Sequence, residues 1–265
     1  MSKIMEATLA GMTRSRNPKF GHYVGEFLTP GIGHILASAR CDYVFFDMEH
    51  SGFSFETLKQ AVRYFEAAGV PVIVRSPSKD YDVIARICDA GAEGVMVPMI
   101  KDAAEATQMV HHLKYPPVGG RGVALGIAHD NFLSGGVPVS ERLENANKRT
   151  TFFALIETSE GAENADAIAA TPGVDCLWVG HFDLTASLGI PGQFENPTYL
   201  TALGRIIQAA KNHNRSLGRL VGSPKEGLAD LKQGFDFCCY ATDTALYQGA
   251  LIAGISELRS AVNDG

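Results

Sequence analysis

The run PVIVRSPSKDYDVIARICDAGAEGVMVPM, residues 71–99, decides the fold. It opens on PVIVR, apolar up to a terminal arginine, and closes on a second such run, GVMVPM at 94–99. Between them DVIARICDAG (82–91) is amphipathic and ends in Gly91, placed as a helix C-cap. Near-continuous apolar runs are what parallel strands covered on both faces show, whereas a half-exposed strand alternates. The stretch reads strand, helix, strand.

The same alternation continues on both sides. Strand-like runs are HYVGEF (22–27), DYVFFDM (42–48), FFALIE (152–157), CLWVG (176–180), SLGRLV (216–221) and FDFCCYATD (235–243). Amphipathic segments lie between them: SFETLKQAVRYFEAAG (54–69), YLTALGRIIQAAKNHN (199–214) and PKEGLADLKQG (224–234), with Gly69 and Gly234 again standing as caps. Eight strands with helical connections predict a (β/α)8 TIM barrel, one domain over residues 1–265; an open doubly wound sheet more often has about five or six. Residues 115–150, beginning YPPVGGRGVALG, are expected to form a long excursion after the fourth strand that shapes the site. The N-terminal MSKIMEATLAGMTRSRNPKF reads as an opening helix without the features of a signal peptide.

The 265 residues are 46% apolar and 20% charged, enough for a full core. A net charge of −6 argues against a nucleic-acid partner, which calls for a basic stripe. The apolar runs fall far short of the roughly 20 residues of a membrane helix. Five cysteines, Cys41, Cys88, Cys176, Cys238 and Cys239, form no CxxC pair, so reduced, buried thiols in a cytoplasmic protein are expected.

Barrel enzymes carry their chemistry at the C-terminal ends of the strands. Those exits hold Asp47-Met48-Glu49-His50, Arg75, Glu157, Gly180-His181-Phe182-Asp183 and Thr242-Asp243. A charged group there is costly to bury unless it is paired or binds a ligand. Each also has a plain structural reading. Arg75 alone fits a rim salt bridge, Asp183 fits a helix N-cap, and Asp47 and Glu49 fit partners of backbone amides or of Arg75. Glu157 closes an apolar strand with no nearby cation in sequence. Carboxylates from adjacent exits, Glu157 and Asp183, suit a hard divalent ion such as Mg2+ or Mn2+. His111, His112 and His213 fall in or near helices and read as surface residues.

In order and spacing, DMEH, PVIVR, EGVMVPMI, KYPPVGGRG, LIET, GVDCLWVGHFDLTASLG and GFDFCCYATDTALYQGA resemble the HpcH/HpaI aldolases, from about Gly21 to Ala253. The resemblance implies cleavage of a 4-hydroxy-2-keto acid to pyruvate and an aldehyde by way of a pyruvate enolate. It implies a metal held by Glu157 and Asp183, with Co2+ a further candidate beside Mg2+ and Mn2+. His50 would be the catalytic histidine, Asp89 the carboxylate that orients it, and Arg75 the group that polarises the keto acid. Amides from Gly180 through His181 and Phe182 to Asp183 would hold the substrate carboxylate. Leu220 would lie near the aldehyde, and Tyr23 falls where relatives can have an aromatic residue. A homo-oligomer, a hexamer in the usual case, is also implied, with the C-terminal helix packing on a neighbouring subunit. Leu155, His181-Phe182 and the YATD motif at 240–243 depart from the family pattern and leave the substrate open. Three rivals remain: a Schiff-base aldolase using Lys79 or Lys101, a citryl-CoA-type lyase, and a sugar-phosphate barrel in which GGRG (119–122) cradles phosphate.

Overall fold

In the computed structural model, which describes residues 8–263, eight parallel strands close into a barrel in sequence order. They are β1 (Lys19–Val24), β2 (Tyr43–Asp47), β3 (Val72–Arg75), β4 (Gly94–Val97), β5 (Thr151–Ile156), β6 (Cys176–Val179), β7 (Ser216–Val221) and β8 (Phe237–Thr242). The opening helix is Leu9–Met12; the part of that expectation covering residues 1–7 lies outside the described residues. Gly69, Gly91 and Gly234 all have positive φ where their helices end, as their placement predicted.

Strand side chains alternate between two cores. Tyr43, Phe45, Ile73, Met96, Phe153, Leu155, Cys176, Trp178, Phe237 and Cys239 fill the barrel. Val44, Phe46, Val72, Val74 and Leu177 instead meet the surrounding helices. Glycine makes room for the interior rings. A Cβ on Gly21 would fall 2.4 Å from the Tyr43 ring, and one on Gly218 would fall 2.2 Å from Trp178. Leu9, from the opening helix, joins the interior core at its N-terminal end.

The connection before β5 differs from expectation. Helix Ala103–Leu113 follows β4 directly, so the excursion is an αβ connection and not a βα one. Arg149 donates to the Gly91 carbonyl at 2.9 Å, which sets helix Val139–Arg149 beside the strand starts, away from the site. The GGRG segment wraps a helix end: Gly120 N–H donates to His111 O at 2.8 Å and Arg121 N–H to Lys114 O at 2.9 Å. A Cβ on Gly120 would sit 2.0 Å from the His111 ring. Its glycines serve close packing and all four of its amides are already spent, Gly119 on Tyr115 O and Gly122 on Tyr81 Oη among them, which removes the support for a phosphate cradle.

Four of the five cysteines are buried, Cys41 is half-buried, and all are free. Among the described residues no helix is long and apolar enough to cross a membrane. In the C-terminal helix, Asp243–Asn263, every residue from 244 to 262 is exposed within one chain.

Replacing Gly218 by Ala drives a methyl into Trp178 and should cost about 1–3 kcal/mol, as overpacking of a filled core does. Urea unfolding should show it as a lower midpoint with unchanged slope.

Candidate functional site

Residue parity carries three polar side chains to the mouth of the barrel. Asp47 follows Tyr43 and Phe45 on the inner side of β2, Arg75 follows Ile73, and Glu157 follows Phe153 and Leu155.

Asp47 is fully buried. Arg75 donates to it twice, from Nε to Oδ1 and from Nη2 to Oδ2, both at 2.7 Å. Tyr23 Oη donates to Oδ2 at 2.5 Å, and the amides of Glu49 and His50 donate at 3.0 and 3.2 Å. Burial alone would raise this carboxyl; the hydrogen bonds and charge of Arg75, with those of Tyr23 and the Glu49 amide, outweigh it and hold the group below the ordinary range. Burial and the hydrogen bond to Asp47 push the Tyr23 hydroxyl up. The expectation that Asp47 and Glu49 partner Arg75 therefore holds, and Arg75 belongs to the barrel mouth rather than to an outer rim.

Glu49 faces a guanidinium and an imidazole. Its Oε2 lies 3.3 Å from Arg75 Nη1 and 3.8 Å from His50 Nε2. Burial still raises its carboxyl. The His50 side chain is 66% exposed and does not line the cavity.

Glu157 is 3% exposed and accepts the Met99 N–H at 2.8 Å. Burial, joined by the charges of Asp183 and Glu49 against that one hydrogen bond, pushes its carboxyl up to about 7. A Cβ on Gly180 would fall 2.4 Å from Glu157 Oε2, so this position has room only for glycine. Asp183 is exposed in the first turn of helix His181–Ser187; Gly180 is the N-cap, which sets aside the capping role for Asp183. The amides of His181, Phe182 and Asp183 are first-turn groups that a helix leaves without partners of its own.

Arg75, Glu157, Gly180, Asp183, Leu155 and Leu220 share a cavity of about 100 Å³. Four carboxylates meet one buried guanidinium here, and Asp47 already takes two of its hydrogen bonds. The surplus negative charge and the oxygen donors fit a divalent cation. Among the described residues no third His, Cys, Asp or Glu joins Glu157 and Asp183 as a metal-holding group, so substrate and water would complete the shell.

Two expected residues do not join. Asp89 pairs with Arg121 at 2.7 Å at the far end of its helix, and no contact links it to His50 within the chain. Asp243 turns away at the β8 exit and accepts the amides of Gly25, Glu26 and Phe27 at 2.8–3.0 Å. One contributor escaped the sequence reading. Met99, with φ of 58°, offers its backbone N–H to Glu157, and no side-chain pattern announces an amide.

Comparison with known proteins identifies the family. The model of the HpcH/HpaI aldolase/citrate lyase family matches residues 28–250. A 5-keto-4-deoxy-D-glucarate aldolase of Shigella boydii is 31% identical over 216 residues, 82% of each chain. A hydroxypyruvate/pyruvate aldolase of Paraburkholderia phytofirmans is 31% identical over 254 residues, 95% of this chain and 97% of that protein. The crystal structure of an HpcH/HpaI aldolase from Desulfitobacterium hafniense superposes with a TM-score of 0.88 at 29% identity, covering 95% of this chain and 96% of that one. The chain belongs to the HpcH/HpaI aldolase/citrate lyase family.

Proposed function

We propose that this protein is a divalent-metal-dependent pyruvate aldolase that cleaves a 4-hydroxy-2-keto acid to pyruvate and an aldehyde, and joins the two in reverse. The observation that carries the reading is the surplus of carboxylates, Glu157 and Asp183 foremost, beside an arginine locked by Asp47. The family's general dependence on divalent cations and the names of the two aldolase relatives support it.

Glu157 and Asp183 would hold the cation, and their oxygen donors favour Mg2+ or Mn2+ over softer ions. When bound, it would supply Lewis-acid polarisation of the keto acid. Arg75 keeps N–H donors free after binding Asp47 and Glu49, and it lines the cavity. It stabilises the oxygen that gains charge as the C3–C4 bond breaks, a contribution of roughly 3 kcal/mol per donor in comparable sites. The first-turn amides of His181, Phe182 and Asp183 receive the substrate carboxylate. His50, at the rim beside Glu49, takes the 4-hydroxyl proton through water. Since Asp89 is committed to Arg121 within the chain, an Asp89–His50 pair would have to form between subunits.

Apolar residues left uncovered on the eighth unit support a homo-oligomer. Leu251, Ile252, Ile255 and Leu258 are 47–65% exposed on the C-terminal helix, while Phe20 of β1 and Tyr240 of β8 are 48% and 38% exposed. Packing this helix on a neighbouring barrel covers both surfaces, and a hexamer is the assembly expected. Free thiols are in keeping with a cytoplasmic setting.

Incubated with Mn2+ and a panel of 4-hydroxy-2-keto acids, the protein should release pyruvate, and EDTA should abolish the release. His50→Ala should lose most cleavage while still binding Mn2+; near-normal turnover in that variant would remove His50 from the mechanism. Without cation, the raised Glu157 carboxyl binds its proton more tightly in the folded chain than in the unfolded one. Its contribution to stability is therefore present in the ordinary glutamate range and lost as pH rises through about 7. Cation binding needs the ionised group, so the Mn2+-induced rise in Tm should be larger at about pH 8 than at about pH 5.5. Equal rises would argue against Glu157 as a ligand. Sedimentation should give a mass of several chains, and Leu251→Asp with Leu258→Asp should reduce it. A wild-type monomer would overturn the packing assigned to the C-terminal helix.

A further inference from the structure

The cavity holding Glu157 and Arg75 has about 100 Å³ of space. That is well below the roughly 300–1,000 Å³ of an ordinary small-molecule site. Whatever a longer substrate carries beyond its pyruvate part has to leave past His181, Phe182 and Leu220. These three residues also line a second cavity of about 560 Å³. It extends between helices Pro197–Asn212 and Pro224–Gln233, along β7.

The wall between the cavities is aromatic. The rings of His181 and Phe182 lie 4.6 Å apart, and Phe194 stands 5.3 Å from the first and 5.2 Å from the second. Tyr199 continues the row 5.8 Å from Phe194. Phe182 is 63% exposed at the edge of the catalytic cavity, an apolar ring left facing open space. Arg219, the one lysine or arginine in the lining, is tied to Asp230 at 2.9 Å. Glu226 and Glu195 remain without a cation in the wall, and Glu226 accepts the Gly222 amide at 2.9 Å. A carboxylate entering here meets surplus negative charge and a guanidinium already engaged. An uncharged apolar group instead buries its surface against the rings.

We propose that this second cavity is the aldehyde subsite, and that the aldehyde it takes is an uncharged aryl or branched alkyl one in preference to a carboxylated one, with Phe182 and Phe194 setting that choice. The inference rests on the aldolase reading and narrows it. In the synthetic direction C3 of pyruvate loses a proton and bonds the aldehyde carbon. The carbonyl π pair moves to the aldehyde oxygen, which takes up a proton, so no redox partner is needed.

Two measurements on the Mn2+-loaded protein separate this inference from the reading beneath it. Exchange of the pyruvate methyl protons for deuterium requires no aldehyde and reports on the catalytic cavity alone. Addition of pyruvate to benzaldehyde, isobutyraldehyde and succinic semialdehyde reports on the subsite. The expected result is exchange in the wild type, with kcat/KM at least tenfold higher for benzaldehyde than for succinic semialdehyde. Phe194→Ala should shrink that ratio several-fold. Glu195→Lys, a change at an exposed position, should raise kcat/KM for succinic semialdehyde several-fold. Exchange together with a preference for the carboxylated aldehyde, or a ratio that neither variant moves, would overturn the subsite. Absence of exchange would overturn the aldolase reading and this inference with it.

Discussion

A fully buried carboxylate has to be paired, and Asp47 is paired from four directions. Arg75 reaches it from β3, Tyr23 from β1, and the amides of Glu49 and His50 from the loop just beyond its own strand. Removing one partner of such a buried pair leaves an uncompensated charge, a loss of about 3–5 kcal/mol in comparable proteins. The network therefore fixes more than one ion pair. It sets the plane of the Arg75 guanidinium, and it bends the β2 exit so that Glu49 reaches Arg75 at 3.3 Å, with His50 3.8 Å from Glu49. Lysine would not substitute for Arg75, because a single ammonium cannot grip both Asp47 oxygens and still reach Glu49.

Across the cavity the physical situation is reversed. Glu157 is as closely enclosed as Asp47, yet the donor at hydrogen-bond distance is an amide, and the nearby charges include two further carboxylates. Delivering that amide bends Met99 into a left-handed conformation, worth on the order of 1–3 kcal/mol of strain for a residue with a side chain. Gly180 withdraws its own side chain to make space for the Glu157 oxygen. One carboxylate is thus neutralised within the fold and the other is kept short of positive charge. The two acids stand at strand exits of one barrel mouth, yet their surroundings are opposite in charge.

The barrel and the polar exits were legible in the sequence because each rests on local chemistry. Buried parallel strands need unbroken apolar runs, and helix ends need glycine, so β2 to β8 could be counted and Gly69, Gly91 and Gly234 placed. Period-two parity then carries Asp47, Arg75 and Glu157 inside without further information. What stayed hidden depends on tertiary choices. Periodicity marks residues 115–150 as irregular but cannot say which end of the barrel they occupy. Asp89 is one acid among many until the chain brings Arg121 beside it. Asp243 looked like a fifth polar exit. A register irregularity beside β1 at His22/Tyr23, with positive φ at Ala241, turns it instead onto the amides of the β1 loop. The apolar residues of the C-terminal helix find no cover within one chain.

The two ends of the barrel also decide between the two ways of making an enolate. A Schiff-base enzyme needs a lysine with a depressed pKa facing the substrate. Burial lowers two lysines, Lys19 and Lys114, against the pull of nearby acids. Both lie at the opposite end from the carboxylate cavity. Lys19 is held by Asp236 and the Ser15 carbonyl, and Lys114 by the carbonyls of Asn147 and Thr150. Lys79, near the cavity end, is spent on Glu105 and the Met99 carbonyl. The buried amines are thus fastened where no substrate enters, and the open end carries unneutralised carboxylates. Among the described residues no lysine lines the cavity that Arg75 shares with Glu157.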